Sequence, residues 1–149
     1  MLEYTDYDTR LAGYALVRDD AGRVLLSRWI GPDGPAWSCP GGGIDFGEQI
    51  VDGITRELLE ETGYHVEVGR LLDVRTFEVD AEERLAGGHR PLRIIQVFHE
   101  ARTVGGELTF ETDGSSDMAG WFTPEQIASL PHVSTVDHLL GLVHRITHA

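Results

Sequence analysis

Residues 42–64 read GGIDFGEQIVDGITRELLEETGY, and the fold is decided by how this stretch is read. Val51, Ile54 and Leu58 fall at i, i+3 and i+7, one apolar stripe of a helix expected from about Glu48 to Thr62. Gly63 follows the last turn, where a left-handed cap residue belongs. At about 100° per residue, Glu60 lies about 60° to one side of Glu57 and Glu61 about 40° to the other. Three carboxylates therefore share an arc of roughly 100°, beside the apolar stripe rather than under it. Such crowding costs some tenths of a kcal/mol per pair. A hard divalent cation offsets that cost, because Mg²⁺ prefers carboxylates, carbonyls and water. Arg56 is the nearest positive charge, and the triplet Gly41-Gly42-Gly43 lets backbone carbonyls approach a metal or a phosphate closely. For the glutamates alone, a solvated, Glu-rich helix after a glycine loop is the better reading, and only the full spacing shifts the balance.

Working outward, residues 11–18 and 23–29 read as two strands, and Asp19-Asp20-Ala21-Gly22 as the hairpin turn between them. Residues 31–35, GPDGP, read as a loop, and Trp37-Ser38-Cys39 as a short extended piece stopped by Pro40. Residues 64–79 and 92–104 read as longer strands joined by a polar, flexible segment. Gly105-Gly106 reads as a turn into residues 107–111. A loop over residues 113–117 then precedes a last short strand at 119–123. Thr123-Pro124 opens a short helix to Leu130, and Ser134 is expected to cap a final helix through Val136, Leu139, Leu140, Val143 and Ile146. No repeat or linker interrupts the 149 residues, so a single domain over 1–149 is expected, and the order of strands and helices suggests a mixed α+β sandwich.

The chain is 41% hydrophobic and 25% charged, enough to build a core. Its formal net charge of −13 argues against non-specific binding to nucleic acid or to an anionic membrane surface, both of which need clustered positive charge. All 12 basic residues are arginine. The lack of lysine excludes Schiff-base chemistry on that residue and a P-loop. Cys39 is the only cysteine, which excludes an internal disulfide and a thiolate cluster, and it reads as a small buried hydrophobe. The acidic N-terminus lacks the order of a signal peptide, and no apolar run approaches the roughly 18 residues needed to span a bilayer. A cytoplasmic protein is expected.

Across residues 42–64 the spacing resembles the Nudix box, G-x5-E-x7-R-E-U-x-E-E-x-G-U with U a bulky aliphatic. Gly42, Glu48, Arg56, Glu57, Leu58, Glu60, Glu61 and Gly63 occupy the matching positions, and Tyr64 stands where the last aliphatic residue belongs. The resemblance implies an α/β/α sandwich with a mixed β-sheet, and hydrolysis of a phosphoanhydride in a nucleoside triphosphate or a nucleoside diphosphate linked to another group, with Mg²⁺ or Mn²⁺. It implies Gly42, Glu57, Glu60 and Glu61 as metal ligands. Arg56 would hold one of these glutamates, Glu48 would support the loop-helix junction, and Glu57 or Glu60 would act as base. It also implies that Arg28 pairs with a box glutamate, and that a loop acid (Glu111, Asp113 or Asp117) is a further candidate base or ligand.

Trp29, Trp37, Phe46, Phe77 and Trp121 are candidates to stack on a base, and Arg75, Arg90 and Arg93 to reach phosphates. His132, His138, His144 and His148 cluster near the end without helical metal spacing and read as surface or core residues. The expected partner is a small-molecule nucleotide. Homodimerisation through an edge strand or the last helix is compatible with the pattern, and nothing in the sequence fixes it. A non-catalytic, ligand-sensing Nudix domain is the alternative, against which the intact box glutamates stand.

Overall fold

The computed structural model describes residues 1–85, 87–109 and 116–148, the side chain of Ser116 excepted. Among these residues seven strands and three α-helices follow in the order β1 (Asp8–Val17), β2 (Val24–Gly31), β3 (Gly34–Ser38), β4 (Gly41–Gly43), α1 (Ile50–Thr62), β5 (Tyr64–Val79), β6 (Leu92–Gly106), β7 (Ser116–Phe122), α2 (Pro124–Ala128) and α3 (Ser134–Thr147), with a single 3₁₀ turn at Ala81–Glu83 after β5. They form a four-stranded sheet, β4-β1-β6-β5, and a three-stranded sheet, β3-β2-β7. The first is mixed: β1 runs parallel to β6 and antiparallel to β4. No helix among the described residues is long and apolar enough to cross a membrane.

Side chains alternate across each strand, so the sheets bury two faces at once. On one face Ala15, Val17, Leu25, Val66 and Ala101 pack with Ile54 and Leu58 of α1. On the other, Ala12, Tyr14, Leu16, Val24, Leu26 and Phe98 pack with Ile127 of α2 and with Val136, Leu139 and Leu142 of α3. The result is the expected α+β sandwich, with α1 on one side and α2 and α3 on the other. Ile54 and Leu58 are fully buried, worth about 1.5–3 kcal/mol each.

Several local expectations need correction. The helix begins at Ile50, not Glu48, because Glu48 accepts a hydrogen bond from the Asp45 N–H and is held by Arg56. Val51 is exposed, because the stripe that packs on the core runs through Ile50, Ile54 and Leu58 instead. The expected loop at residues 31–35 is a tight hairpin: Gly31 pairs with Gly34, and Pro32 and Asp33 make the turn. β7 starts at Ser116, which places Asp117 on a strand. Val133, not Ser134, is the N-cap of α3, whereas Thr123 caps α2 in a full capping box with Gln126. The polar segment after β5 is tied down: Asp8 takes hydrogen bonds from both Arg84 and Arg90, and Arg90 also donates to the Thr5 carbonyl.

Candidate functional site

The C-terminal end of α1 faces the short edge strand β4, and between them opens a hollow of about 310 Å³. Glu57 and Glu61 line it, one turn apart on the helix, with Gly41, Gly42 and Gly43, Arg10 and Tyr14 of β1, Ser27 and Trp29 of β2, Ser38, and Val133 and Thr135 at the start of α3. Glu61 is only 6% exposed and accepts a 2.7 Å hydrogen bond from the Gly41 N–H. A Cβ built on Gly42 would stand 3.1 Å from Glu57 Oε1 and 3.2 Å from its carboxyl carbon, so the backbone at 42 comes as close to that carboxylate as a side chain permits.

Arg56 organises the flank. It donates from Nε and Nη2 to the two oxygens of Glu48, at 2.9 Å each, from Nη2 to the Gly43 carbonyl at 3.2 Å, and from Nη1 to Glu57 Oε1 at 3.1 Å and Glu60 Oε2 at 3.4 Å. One guanidinium thus fixes the loop before α1 to the helix itself. The Arg56 hydrogen bonds, helped by the Asp45 N–H, hold the Glu48 carboxyl down at about 2. Glu48 therefore serves Arg56 first, and Arg56 spans three box glutamates rather than one.

Among the expected ligands, Glu57, Glu61 and Gly42 come together on the hollow. Glu60 does not line it; its side chain is 48% exposed beside Arg56. Among the described residues no three acidic, histidine or cysteine side chains already form a metal-ligating cluster. The donor chemistry nevertheless fits a hard cation: two carboxylates and a glycine backbone, all oxygen, with no sulfur or imidazole at hand.

Arg28 pairs with Asp117 rather than with a box glutamate, through two hydrogen bonds of 2.9 and 2.6 Å that tie β2 to β7. Those bonds hold the Asp117 carboxyl below its usual range. Glu111 and Asp113 lie outside the described residues. Of the aromatic candidates, Trp29 alone lines the hollow. Trp37 belongs to the core beside Phe122, Trp121 donates to the Tyr64 hydroxyl at 3.1 Å, and Phe46 is fully exposed. Phe77 is covered by Arg75 at 5.6 Å.

Arg75 donates to Gln96 and to Thr135, which lines the hollow. Arg90 is committed to Asp8, and Arg93 stacks over Tyr7. His132 and His138 pair with Asp137 and Asp73, and His144 stacks on His148. Burial pushes the Cys39 thiol far up, and its Sγ donates to the Thr135 carbonyl, as a small core residue should. Arg10, Tyr14, Ser27 and Thr135 were not expected at the site. They sit on apolar strands and at a helix start, and no spacing in the sequence marks them.

A family model described as NUDIX domain matches residues 8–140. The chain is 29% identical over 113 residues to a MutT-like protein of Streptomyces ambofaciens, covering 76% of this chain and 62% of that protein. It is 40% identical over 72 residues to nucleoside diphosphate-linked moiety X motif 6 of Xenopus laevis, covering 48% of this chain and 33% of that protein. It thus spans less than two thirds of the length of either. Among solved structures it is similar to a NUDIX hydrolase from Nitrosomonas europaea, with a TM-score of 0.75 at 20% identity over 93% of this chain and 90% of that one. It is also similar to a MutT NUDIX hydrolase from Burkholderia pseudomallei, with a TM-score of 0.69 at 25% identity over 91% and 98%.

Proposed function

The chain belongs to the Nudix family, and from that premise we propose that it hydrolyses a phosphoanhydride bond in a nucleoside triphosphate or in a nucleoside diphosphate linked to another group. The observation that carries this reading is the pair Glu57 and Glu61 in one hollow, backed by the Gly42 strand and flanked by Arg56. Relatives named as RNA pyrophosphohydrolase, in Sphingopyxis alaskensis, and as putative 8-oxo-dGTP diphosphatase, in Bacillus subtilis, support the same reaction class.

Glu57, Glu61 and the Gly42 carbonyl would hold Mg²⁺ or Mn²⁺, with Glu60 reaching in from the rim. When bound, such an ion supplies charge neutralisation for the anhydride and makes a nearby water more acidic. The chain does the rest. Glu57 takes a proton from the attacking water while a new P–O bond forms to the phosphorus and the anhydride P–O bond breaks, so that a monophosphate leaves with the bridging oxygen. Arg56, by holding Glu57 and Glu48 together, keeps the carboxylate aimed and balances its charge. The acidic surface is no obstacle, because the cation brings the positive charge to the phosphates.

Hydrolysis of a panel of nucleoside triphosphates, ADP-ribose, sugar nucleotides and dinucleotides with Mg²⁺ tests this. Glu57→Gln should lose about 10²–10⁴-fold in kcat, and Glu60→Gln should also lose activity with the fold intact. Ligand binding without turnover in the wild-type chain would instead favour a sensing domain.

A further inference from the structure

Arg10 stands apart from the other arginines of this acidic chain. Among the described residues, every arginine except Arg10 and Arg75 has a carboxylate oxygen within 4.0 Å. Arg75 spends its donors on Gln96 and Thr135 and lies over Phe77. Arg10 has no such partner and lines the hollow. In a protein with 25 acidic residues, a guanidinium without a carboxylate is placed for an anion from outside.

Its position gives that anion an address. On β4, Gly42 pairs with Gly13 and Gly43 with Ala12, so the two glycines present opposite faces of the strand. The face of Gly42 meets Glu57, whereas a Cβ on Gly43 would stand 3.5 Å from Arg10 Nη2. The hollow therefore wraps the free edge of β4, with two carboxylates on one side and Arg10 on the other. Apart from Arg10 and the two glutamates the side chains that line the hollow are uncharged, and four of them, Tyr14, Ser27, Ser38 and Thr135, carry hydroxyls.

We propose that Arg10 is a phosphate anchor separate from the Glu57–Glu61 pair, receiving a phosphoryl group of the substrate across the β4 edge. This rests on the hydrolase reading, and it sorts ligands by phosphate rather than by base. Bidentate donation to phosphate oxygens is the geometry a guanidinium supplies and an ammonium does not.

The test is equilibrium binding in the presence of a chelator, so that the carboxylate pair contributes no attraction. The probes are inorganic phosphate, adenosine 5′-monophosphate and adenosine, followed by calorimetry or amide chemical shifts. Arg10→Gln should weaken phosphate and the monophosphate about tenfold or more and leave adenosine within about twofold. Arg10→Lys should recover part of the loss, and Arg93→Gln should change nothing. Unchanged monophosphate binding in Arg10→Gln, an equal loss for adenosine, or no phosphate binding by the wild-type chain would each overturn the proposal. The two readings fail separately: Arg10-dependent phosphate binding without any hydrolysis sinks the hydrolase alone, and hydrolysis indifferent to Arg10 in a chain whose phosphate binding is also indifferent sinks the anchor alone.

Discussion

Glu48 shows how one carboxylate is committed before any substrate arrives. Both of its oxygens accept from Arg56, and one also accepts from the Asp45 N–H. Its folded-state pKa of about 2 lies below the ordinary 4.5, so its stabilising contribution is complete above about pH 4.5 and is lost as the pH falls toward 2. Glu48→Gln should therefore be less stable than wild type at pH 7, and the gap should narrow steadily as the pH falls from about 4.5 toward 2, as urea unfolding across that range would read. At this scale the sequence was most legible where spacing is rigid. Glu57, Glu61 and Arg56 sit on one helix, whose geometry fixes their relation in advance. Arg28 illustrates the opposite: its partner, Asp117, is 89 residues away on a neighbouring strand, and no local pattern encodes that pairing. Arg10 and Thr135 were illegible for the same reason.

Helix α1 is the element on which the site depends, and its C-terminus is where it is most sharply defined. Gly63 adopts φ +80°, and its N–H closes the helix onto the Leu59 carbonyl. A Cβ there would come within 2.2 Å of both the Glu107 carbonyl and the Thr109 hydroxyl. Gly63→Ala combines a left-handed penalty with a steric clash and should cost about 2 kcal/mol or more in chemical denaturation. The cap was readable from a glycine after an apolar stripe. The start of the helix was not, because Glu48 looks like a helix former until its oxygens are seen to be taken. The hairpin at Pro32-Asp33 was read as an unpaired loop, since proline and glycine mark a turn without saying whether the flanking residues pair across it.

At the scale of the whole molecule, the two sheets share cores with α1 on one face and with α2 and α3 on the other, and the hollow draws on residues from Arg10 to Thr135. Strands through the first two-thirds, with one helix in the middle and two at the end, were enough to expect a sandwich. The parallel pairing of β1 with β6 was not foreseeable, because it joins segments some 80 residues apart and only tertiary packing selects it. That distributed construction gives the lone thiol a use. Cys39, 1% exposed with its Sγ 3.5 Å from the Thr135 carbonyl, is pinned where the start of α3 meets the strands. A thiol reagent can react only after that junction parts, so its rate clocks the opening of the native state. Modification in native buffer should run orders of magnitude slower than in denaturant, and a bound nucleotide should slow it further in proportion to 1 + [L]/Kd. The chain carries its own stopwatch for ligand binding, with no label to introduce and no second cysteine to blur the reading.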